Sequence, residues 1–186
     1  MSHNGRETEI KLPAADVAAA RALLRRGGFR VSKRRVFERN VVFDTPAFAL
    51  RSQGALLRLR EARRSATLTF KGPAAAGKHK SREELETEVA DARVVTAILQ
   101  RLGFQPAFRY EKYRTEYRLP ARGGIATLDE TPIGVYRELE GSPTWIDRTA
   151  RRLGFAESDY VTASYGRLYL EWCARRGMEP ADMVFR

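Results

Sequence analysis

The chain has 186 residues, of which 43% are hydrophobic and 31% charged, and its formal net charge is +11. This composition excludes a disordered chain, the single Cys173 excludes a disulfide framework, and only two histidines argue against a histidine-based metal site. No apolar run approaches the length of a membrane span, and no signal-peptide segment opens the chain, so we expect a cytoplasmic protein. The basic charge indicates an anionic partner: nucleic acid, an acidic membrane surface or a phosphorylated small molecule.

The first half of the chain predicts a strand, a helix and then three strands. The strands span residues 7–12, 30–43, 55–61 and 66–71, and the helix spans residues 14–26. Gly27 and Gly28 follow the helix and predict its end in a left-handed turn. The small-residue segment GPAAAGK at residues 72–78 predicts a flexible loop, and we expect His79 beside it to face solvent.

The second half repeats this pattern. ALLRRGGF at residues 22–29 resembles AILQRLGF at residues 97–104, with a spacing of 75 residues. The predicted strands span residues 82–89, 109–119, 124–130 and 135–140, and a helix spans residues 92–102. Helices at residues 143–153 and 164–176 follow. We therefore predict a single domain over residues 1–186, with pseudo-repeats at about 5–72 and 80–141 and C-terminal helices at 143–176.

At least five of the predicted strands carry charged side chains at every second residue, which places those charges on one face. The signs are grouped by strand, with acids at Glu7/Glu9, Glu86/Glu88 and Glu138/Glu140, and bases at Arg58/Arg60 and Lys112/Arg114. One interpretation is a solvated outer face on which opposite charges pair across strands. The other is the interior of a closed eight-stranded barrel wide enough to hold a ligand.

The barrel interpretation has a direct chemical consequence. Carboxylates in the interior would bind divalent cations through oxygen, and arginines would bind phosphate oxygens in bidentate fashion. Because both kinds of side chain occur on the same faces, the pattern favours a metal-bound polyphosphate as the ligand.

The motifs that carry these charges resemble those of the CYTH family, the triphosphate tunnel metalloenzymes. ETEIKL at residues 7–12 is similar to the family's ExExK signature, and VVFDTPAFALRSQGALLRLRE at residues 41–61 to its Asp-Thr-Pro segment and RxR strand. LTFKGP, KSREELETEV, EKYRTEY, ATLDE and YRELEG follow in the family's order, and the resemblance covers roughly residues 5–170. It implies an α+β fold, an eight-stranded antiparallel β-barrel (tunnel) built from a duplicated β-α-β-β-β unit with helices packed outside.

The resemblance also implies a role for each matching residue. The metal-side acids, which would bind Mg²⁺ or Mn²⁺, are Glu7, Glu9, Asp129, Glu138 and Glu140, supported by Glu86 and Glu88. The residues expected to hold the triphosphate are Lys11, Arg58, Arg60, Lys71, Arg82, Lys112 and Arg114. The residues expected to take part most directly in catalysis are Glu7, Glu9, Lys11, Glu138 and Glu140. Tyr165 matches a Ser-Tyr pair near the family's C-terminal helix.

Three functions are compatible with these motifs. The first is metal-dependent hydrolysis of a triphosphate, either inorganic triphosphate or a nucleoside or thiamine triphosphate. The second is the class IV adenylyl cyclase reaction, which converts ATP to cyclic AMP and pyrophosphate. The third is a non-catalytic module that binds polyphosphate or nucleic acid. We rank hydrolysis first because cyclisation also needs a base pocket that the sequence does not reveal. We expect a triphosphate-containing small molecule as partner, neither a membrane nor a nucleic acid as partner, and a monomer or homodimer.

Overall fold

Eight strands form a closed barrel in the computed structural model, which describes residues 4–120 and 123–186. The strands are β1 (Asn4–Ala14), β2 (Arg30–Asp44), β3 (Leu56–Ala62), β4 (Ser65–Lys71), β5 (Lys80–Val89), β6 (Gln105–Arg118), β7 (Ile125–Thr131) and β8 (Gly134–Glu140). The helices are α1 (Val17–Arg26), α2 (Ala49–Ser52), α3 (Ala92–Arg101), α4 (Pro143–Arg152) and α5 (Tyr165–Ala174).

The strands follow one another around the barrel in the order β1-β5-β4-β3-β2-β6-β7-β8, and every neighbouring pair is antiparallel. Exchanging β1 with β5, β2 with β6, β3 with β7 and β4 with β8 leaves this order unchanged. The barrel therefore has an internal two-fold relation between the two halves of the chain. The predicted α+β barrel with a duplicated unit is confirmed.

Most of the predicted elements lie within a few residues of their observed positions, with four differences. Strand β5 begins at Lys80 and β6 at Gln105, earlier than predicted. A short helix, α2, was not predicted; it forms because the buried Asp44 carboxylate accepts hydrogen bonds from the backbone N–H groups of Leu50 and Arg51. A 3₁₀ turn at Glu157–Asp159 was also missed.

The helices begin and end as the sequence indicates. Each helix of ten residues follows an Asp or Ser whose side-chain oxygen accepts a hydrogen bond from a backbone N–H of the first turn. The three glycines that follow α1, α3 and α4 have positive φ angles of 80°, 89° and 89°, as the predicted left-handed turns require. These are Gly28, Gly103 and Gly154.

Apolar side chains lie outside the barrel wall and under the helices. Helices α1 and α4 pack on β1, β7 and β8 around Ile10, Leu24, Leu139 and Ile146, all of which are fully buried. A second cluster lies under α3, and a third surrounds α5 and includes the buried Cys173. Because the apolar faces point outward, the charged faces point into the barrel.

One expectation about the loop before β5 was wrong. The His79 side chain is only 9% exposed, because the loop folds back on α4 and the His79 ring shares a hydrogen bond with Asp147 at 2.7 Å. The ring also lies against Tyr160. No helix in the described ranges is long and apolar enough to cross a membrane.

Candidate active site

The barrel encloses a tunnel with a volume of about 1750 Å³. The predicted site residues that line it are Glu7, Glu9, Lys11, Arg58, Arg60, Lys71, Arg82, Glu86, Glu88, Lys112, Arg114, Glu138 and Glu140. Asp129 is fully buried in the wall behind this lining. The charged stripes therefore meet in one interior space.

One wall of the tunnel, formed by β1 and β8, is acidic. Glu9 lies opposite Glu140 and Lys11 lies opposite Glu138 in the antiparallel register of these strands. The Lys11 ammonium, 2% exposed, sits between the Glu9 and Glu138 carboxylates at 3.0 and 3.3 Å. Lys11 thus contacts two of the four acids of this wall with its single positive charge.

The other two acids of this wall are less well compensated. Glu7 pairs with Lys71 at 2.5 Å, yet burial and the neighbouring Glu9 raise its pKa. Glu140 makes no ion pair with any described residue, and burial together with the nearby Glu7 raises its pKa from 4.5 to about 7. Glu140 is therefore the acid of this wall that no described cation contacts, although Arg114 and Lys71 lie near enough to oppose the rise in its pKa.

Asp129 organises the adjacent wall, formed by β6 and β7. It accepts hydrogen bonds from Lys112 at 2.8 Å, from the Tyr165 hydroxyl at 2.8 Å and from the Arg114 guanidinium. Burial alone would raise the pKa of Asp129, but Arg114 and Lys112 outweigh it and lower that pKa. Arg114 also contacts Glu138. Asp129 therefore fixes the two cations of β6, and α5 supports it through Tyr165.

The wall formed by β3, β4 and β5 carries most of the remaining cations. Arg60 pairs with Glu86 at 3.4 Å, and Lys71 contacts Glu84 at 3.1 Å. Within the described parts of the chain, Arg58 has no carboxylate partner; it donates to the Tyr110 hydroxyl at 3.1 Å, and its buried Nε has no acceptor. Arg58 is the guanidinium most available to an anionic ligand.

Lys80 extends this basic wall toward the acids. Its ammonium lies 3.1 Å from Glu9. Burial, together with the nearby Lys11 and Arg82, lowers the pKa of Lys80 to about 8 against the opposing effect of Glu9. Lys80 is therefore a buried amine that titrates close to neutral pH.

Comparison with known proteins identifies the family. The family model described as the CYTH domain matches residues 5–185. The chain belongs to the CYTH family. CYTH proteins are metal-dependent tunnel enzymes that act on triphosphate substrates.

One curated protein and two solved structures are similar to this chain. A protein of Methanocaldococcus jannaschii named "Putative adenylate cyclase MJ0240" is 28% identical over 137 residues, 73% of this chain and 77% of that protein. The structure of the PH1819 protein from Pyrococcus horikoshii has a TM-score of 0.77 and 26% identity, and the match covers 89% of this chain and 98% of that one. A structure from Hippeastrum has a TM-score of 0.62 and 23% identity, covers 97% and 98%, and is described as "Putative adenylyl cyclase HpAC1 from Hippeastrum reveals a dominant triphophatase activity".

The acidic wall of this CYTH tunnel supplies the donor type that Mg²⁺ and Mn²⁺ prefer. In residues 4–120 and 123–186, no three His, Cys, Asp or Glu side chains converge into a ready-made metal site. Mg²⁺ commonly uses one or two carboxylates and completes its coordination with water and substrate phosphate oxygens. The uncompensated Glu140, beside Glu7, fits that mode of binding.

The predicted metal-side acids do not form one group. Glu86 is held by Arg60 and by the Thr69 hydroxyl at 3.0 Å. Glu88 is exposed and lies eight positions after Lys80 on β5, a span of about 27 Å along a strand. Glu86 and Glu88 therefore lie toward the opposite mouth from Glu9.

Several tunnel residues were missed by the sequence reasoning. They are Glu38, Lys80, Glu84 and Tyr110. Lys80 and Glu84 lie on the same face of β5 as Arg82, because alternate residues of a strand share a face. A predicted strand that began two residues earlier would therefore have included Lys80. Glu38 contacts Lys112 at 3.6 Å, but its strand has no repeated charge stripe, so its sequence carried no clear signal.

Proposed function

We propose that this CYTH chain is a divalent-metal-dependent hydrolase of a triphosphate held in the tunnel. The observation that carries the proposal is that one interior space holds both an acid and an arginine that have no ion-pair partner among the described residues. Among the described residues, Glu140 makes no ion pair and Arg58 has no carboxylate partner. A metal–triphosphate complex supplies the missing charge on both sides.

The basic residues would bind the phosphate chain. Arg58 can offer its guanidinium without breaking an ion pair, whereas Arg60 and Lys71 would exchange carboxylate for phosphate oxygens. Lys112 and Arg114 are kept in place by Asp129 and would stabilise charge that develops on the phosphates. Arg82 and Lys11 complete this set of phosphate-binding residues.

The acidic residues would face the metal. Glu7, Glu9, Glu138 and Glu140 offer hard oxygen donors on adjacent strands. A bound Mg²⁺ or Mn²⁺ would neutralise phosphate charge and lower the pKa of a bound water. Attack of a water oxygen on the terminal phosphorus forms one P–O bond and breaks the bridging P–O bond, which releases orthophosphate and a diphosphate.

Cyclisation of ATP is the second candidate. It is favoured by the name of the Methanocaldococcus jannaschii relative, whereas the triphosphatase activity stated for the Hippeastrum protein favours hydrolysis. The two reactions differ in the nucleophile, which is water at the terminal phosphorus or the ribose 3′-hydroxyl at the α-phosphorus. Hydrolysis ranks first because it requires only the acidic and basic residues that line the tunnel.

One incubation series tests the proposal. Purified protein is mixed with tripolyphosphate or ATP in Mg²⁺, Mn²⁺ or EDTA, and the products are separated by ion-exchange chromatography. Orthophosphate that appears only with metal supports hydrolysis, whereas cyclic AMP with pyrophosphate supports the cyclase. Absence of turnover with both metals would contradict both reactions and leave a binding protein.

Variants connect the activity to the tunnel. Glu9→Gln and Glu138→Gln should each abolish metal-dependent turnover while the protein stays folded. Glu130→Gln is the matched control, because Glu130 follows Asp129 on β7 but pairs with Arg35 outside the tunnel. Wild-type turnover in either tunnel variant would contradict the site assignment.

A further inference from the structure

An apolar surface over β4 and β5 lacks the helix that covers its counterpart. The surface, here called the open seat, consists of Phe70, Leu85, Val94, Ile98 and Leu102. Leu85 is 41% exposed, Ile98 53% and Leu102 68%. These exposed aliphatic side chains are grouped on one helix and on the strand that leads into it. An exposed apolar patch of this kind indicates an interaction surface.

The internal two-fold relation identifies the equivalent surface in the other half. The spacing of 75 residues maps Ile10 onto Leu85 and Leu23 onto Ile98. The strand pairs agree, because Ile10 lies opposite Leu139 in β1–β8 and Leu85 lies opposite Phe70 in β5–β4. The two surfaces therefore occupy equivalent positions in the two repeats.

Helix α4 covers the first of these surfaces. Ile10 and Leu139 are fully buried there, together with Ile146 of α4. Gly27, the counterpart of Leu102, is packed so closely that a Cβ on it would lie 2.6 Å from Leu153. The second repeat has no helix equivalent to α4 among the described residues, and it carries Ile98 and Leu102 where the first repeat has Leu23 and Gly27.

We propose that a second copy of this chain covers the open seat, with α3 of each subunit taking the place of an α4-like helix on the other. In the described part of the chain, α3 is the helix that carries an exposed aliphatic stripe, at Val94, Ile98 and Leu102. The spacing of four residues puts the three side chains in one row. Each subunit therefore supplies both the seat and the helix that fits it.

The orientation of the two helices follows from the symmetry. A two-fold axis perpendicular to α3 near Ile98 makes the two α3 helices antiparallel. Arg101 of one helix then lies toward the partner's Asp91, a residue that within each subunit also contacts Arg93 at 3.5 Å. The helix dipoles oppose each other in this arrangement, which favours the pairing.

Sedimentation equilibrium of the full chain tests the proposal. We expect a dimer, and we expect Ile98→Glu and Leu102→Glu each to weaken its association at least tenfold. Val31→Glu is the control, because Val31 is 52% exposed but lies on β2, outside the seat. A wild-type monomer at every concentration tested, or a dimer equally stable in both seat variants, would overturn the proposal.

A cysteine variant gives a second, independent measurement. Ile98 lies near the proposed axis, so Ile98→Cys should form a disulfide between subunits under mild oxidation. Cys173 is fully buried and does not compete. Val31→Cys should stay uncrosslinked under the same conditions. Equal crosslinking of the two variants, or none in Ile98→Cys, would argue against an α3–α3 interface.

Discussion

Replacement of Glu140 by glutamine should stabilise the metal-free protein at alkaline pH. Glu140 is largely buried in the acidic wall and makes no ion pair with a described residue, and its pKa is raised from 4.5 to about 7, first by burial and then by Glu7. Glutamine has nearly the same shape but carries no charge. The substitution therefore removes a buried negative charge that the folded protein holds at a cost.

The magnitude follows from the difference in pKa between the folded and unfolded chain. Between pH 4.5 and 7 the folded protein keeps a proton on Glu140 that the unfolded chain has already released. The free energy of unfolding therefore falls as pH rises through this window, and the loss levels off above pH 7. A pKa difference of about 2.5 corresponds to about 3 kcal/mol.

Urea denaturation of both proteins in EDTA, at pH 5 and pH 8, measures this effect. At pH 8, Glu140→Gln should be more stable than the wild type by up to about 3 kcal/mol, and at pH 5 the difference should nearly vanish. Glu61→Gln, at an exposed position on β3, should follow the wild type at both pH values. Equal stability of Glu140→Gln and wild type at pH 8 would refute the reasoning.

Three further substitutions test other parts of the structure. Arg58→Ala should weaken the binding of tripolyphosphate, measured by calorimetry, at least tenfold. The binding of orthophosphate should weaken less, because a single phosphate occupies only part of the row of phosphate-binding residues. Equal losses would contradict a binding site for a triphosphate. Tyr165→Phe removes the hydroxyl that donates to Asp129 at 2.8 Å and should lower the free energy of unfolding by about 2 kcal/mol, so an unchanged urea midpoint would exclude a supporting role. Gly124→Ala would place a Cβ 2.1 Å from the Glu140 carbonyl oxygen and 2.5 Å from the Trp145 ring; a loss of about 1–3 kcal/mol is expected, and a wild-type melting curve would contradict this packing.

The barrel could be predicted from the sequence because alternation along a strand is a local property. Glu7, Glu9 and Lys11 share a face whatever the rest of the chain does, and the same holds for Arg58 and Arg60. The repeat of 75 residues then supplied the number of strands. The grouping of acids and bases on different strands also indicated which face of the sheet points inward, namely the charged one.

The partners of each side chain could not be predicted, because they depend on which strands become neighbours. Asp129 was expected on the metal side, and in the folded chain it lies against Lys112, Arg114 and Tyr165. Lys80 was missed because the segment before it has the composition of a loop, while its pairing with Glu9 comes from the β1–β5 register. Strand order and register bring together residues that are far apart in the sequence. A local sequence pattern therefore does not reveal which residues become neighbours.

The ion pairs of the tunnel explain how one site can hold both acids and bases without a ligand. Lys11 binds Glu9 and Glu138, and Lys71 binds Glu7, so each of these buried cations already contacts an anionic oxygen. Under the proposed function, a triphosphate would offer these lysines phosphate oxygens instead, and the released carboxylates would face the metal. Because each buried charge would exchange one partner for another and none would be left unpaired, the rearrangement avoids the cost of an isolated buried ion. Glu140 has no lysine partner among the described residues, and Glu7, Glu9 and Glu138 would become available to the metal when the substrate takes their lysines.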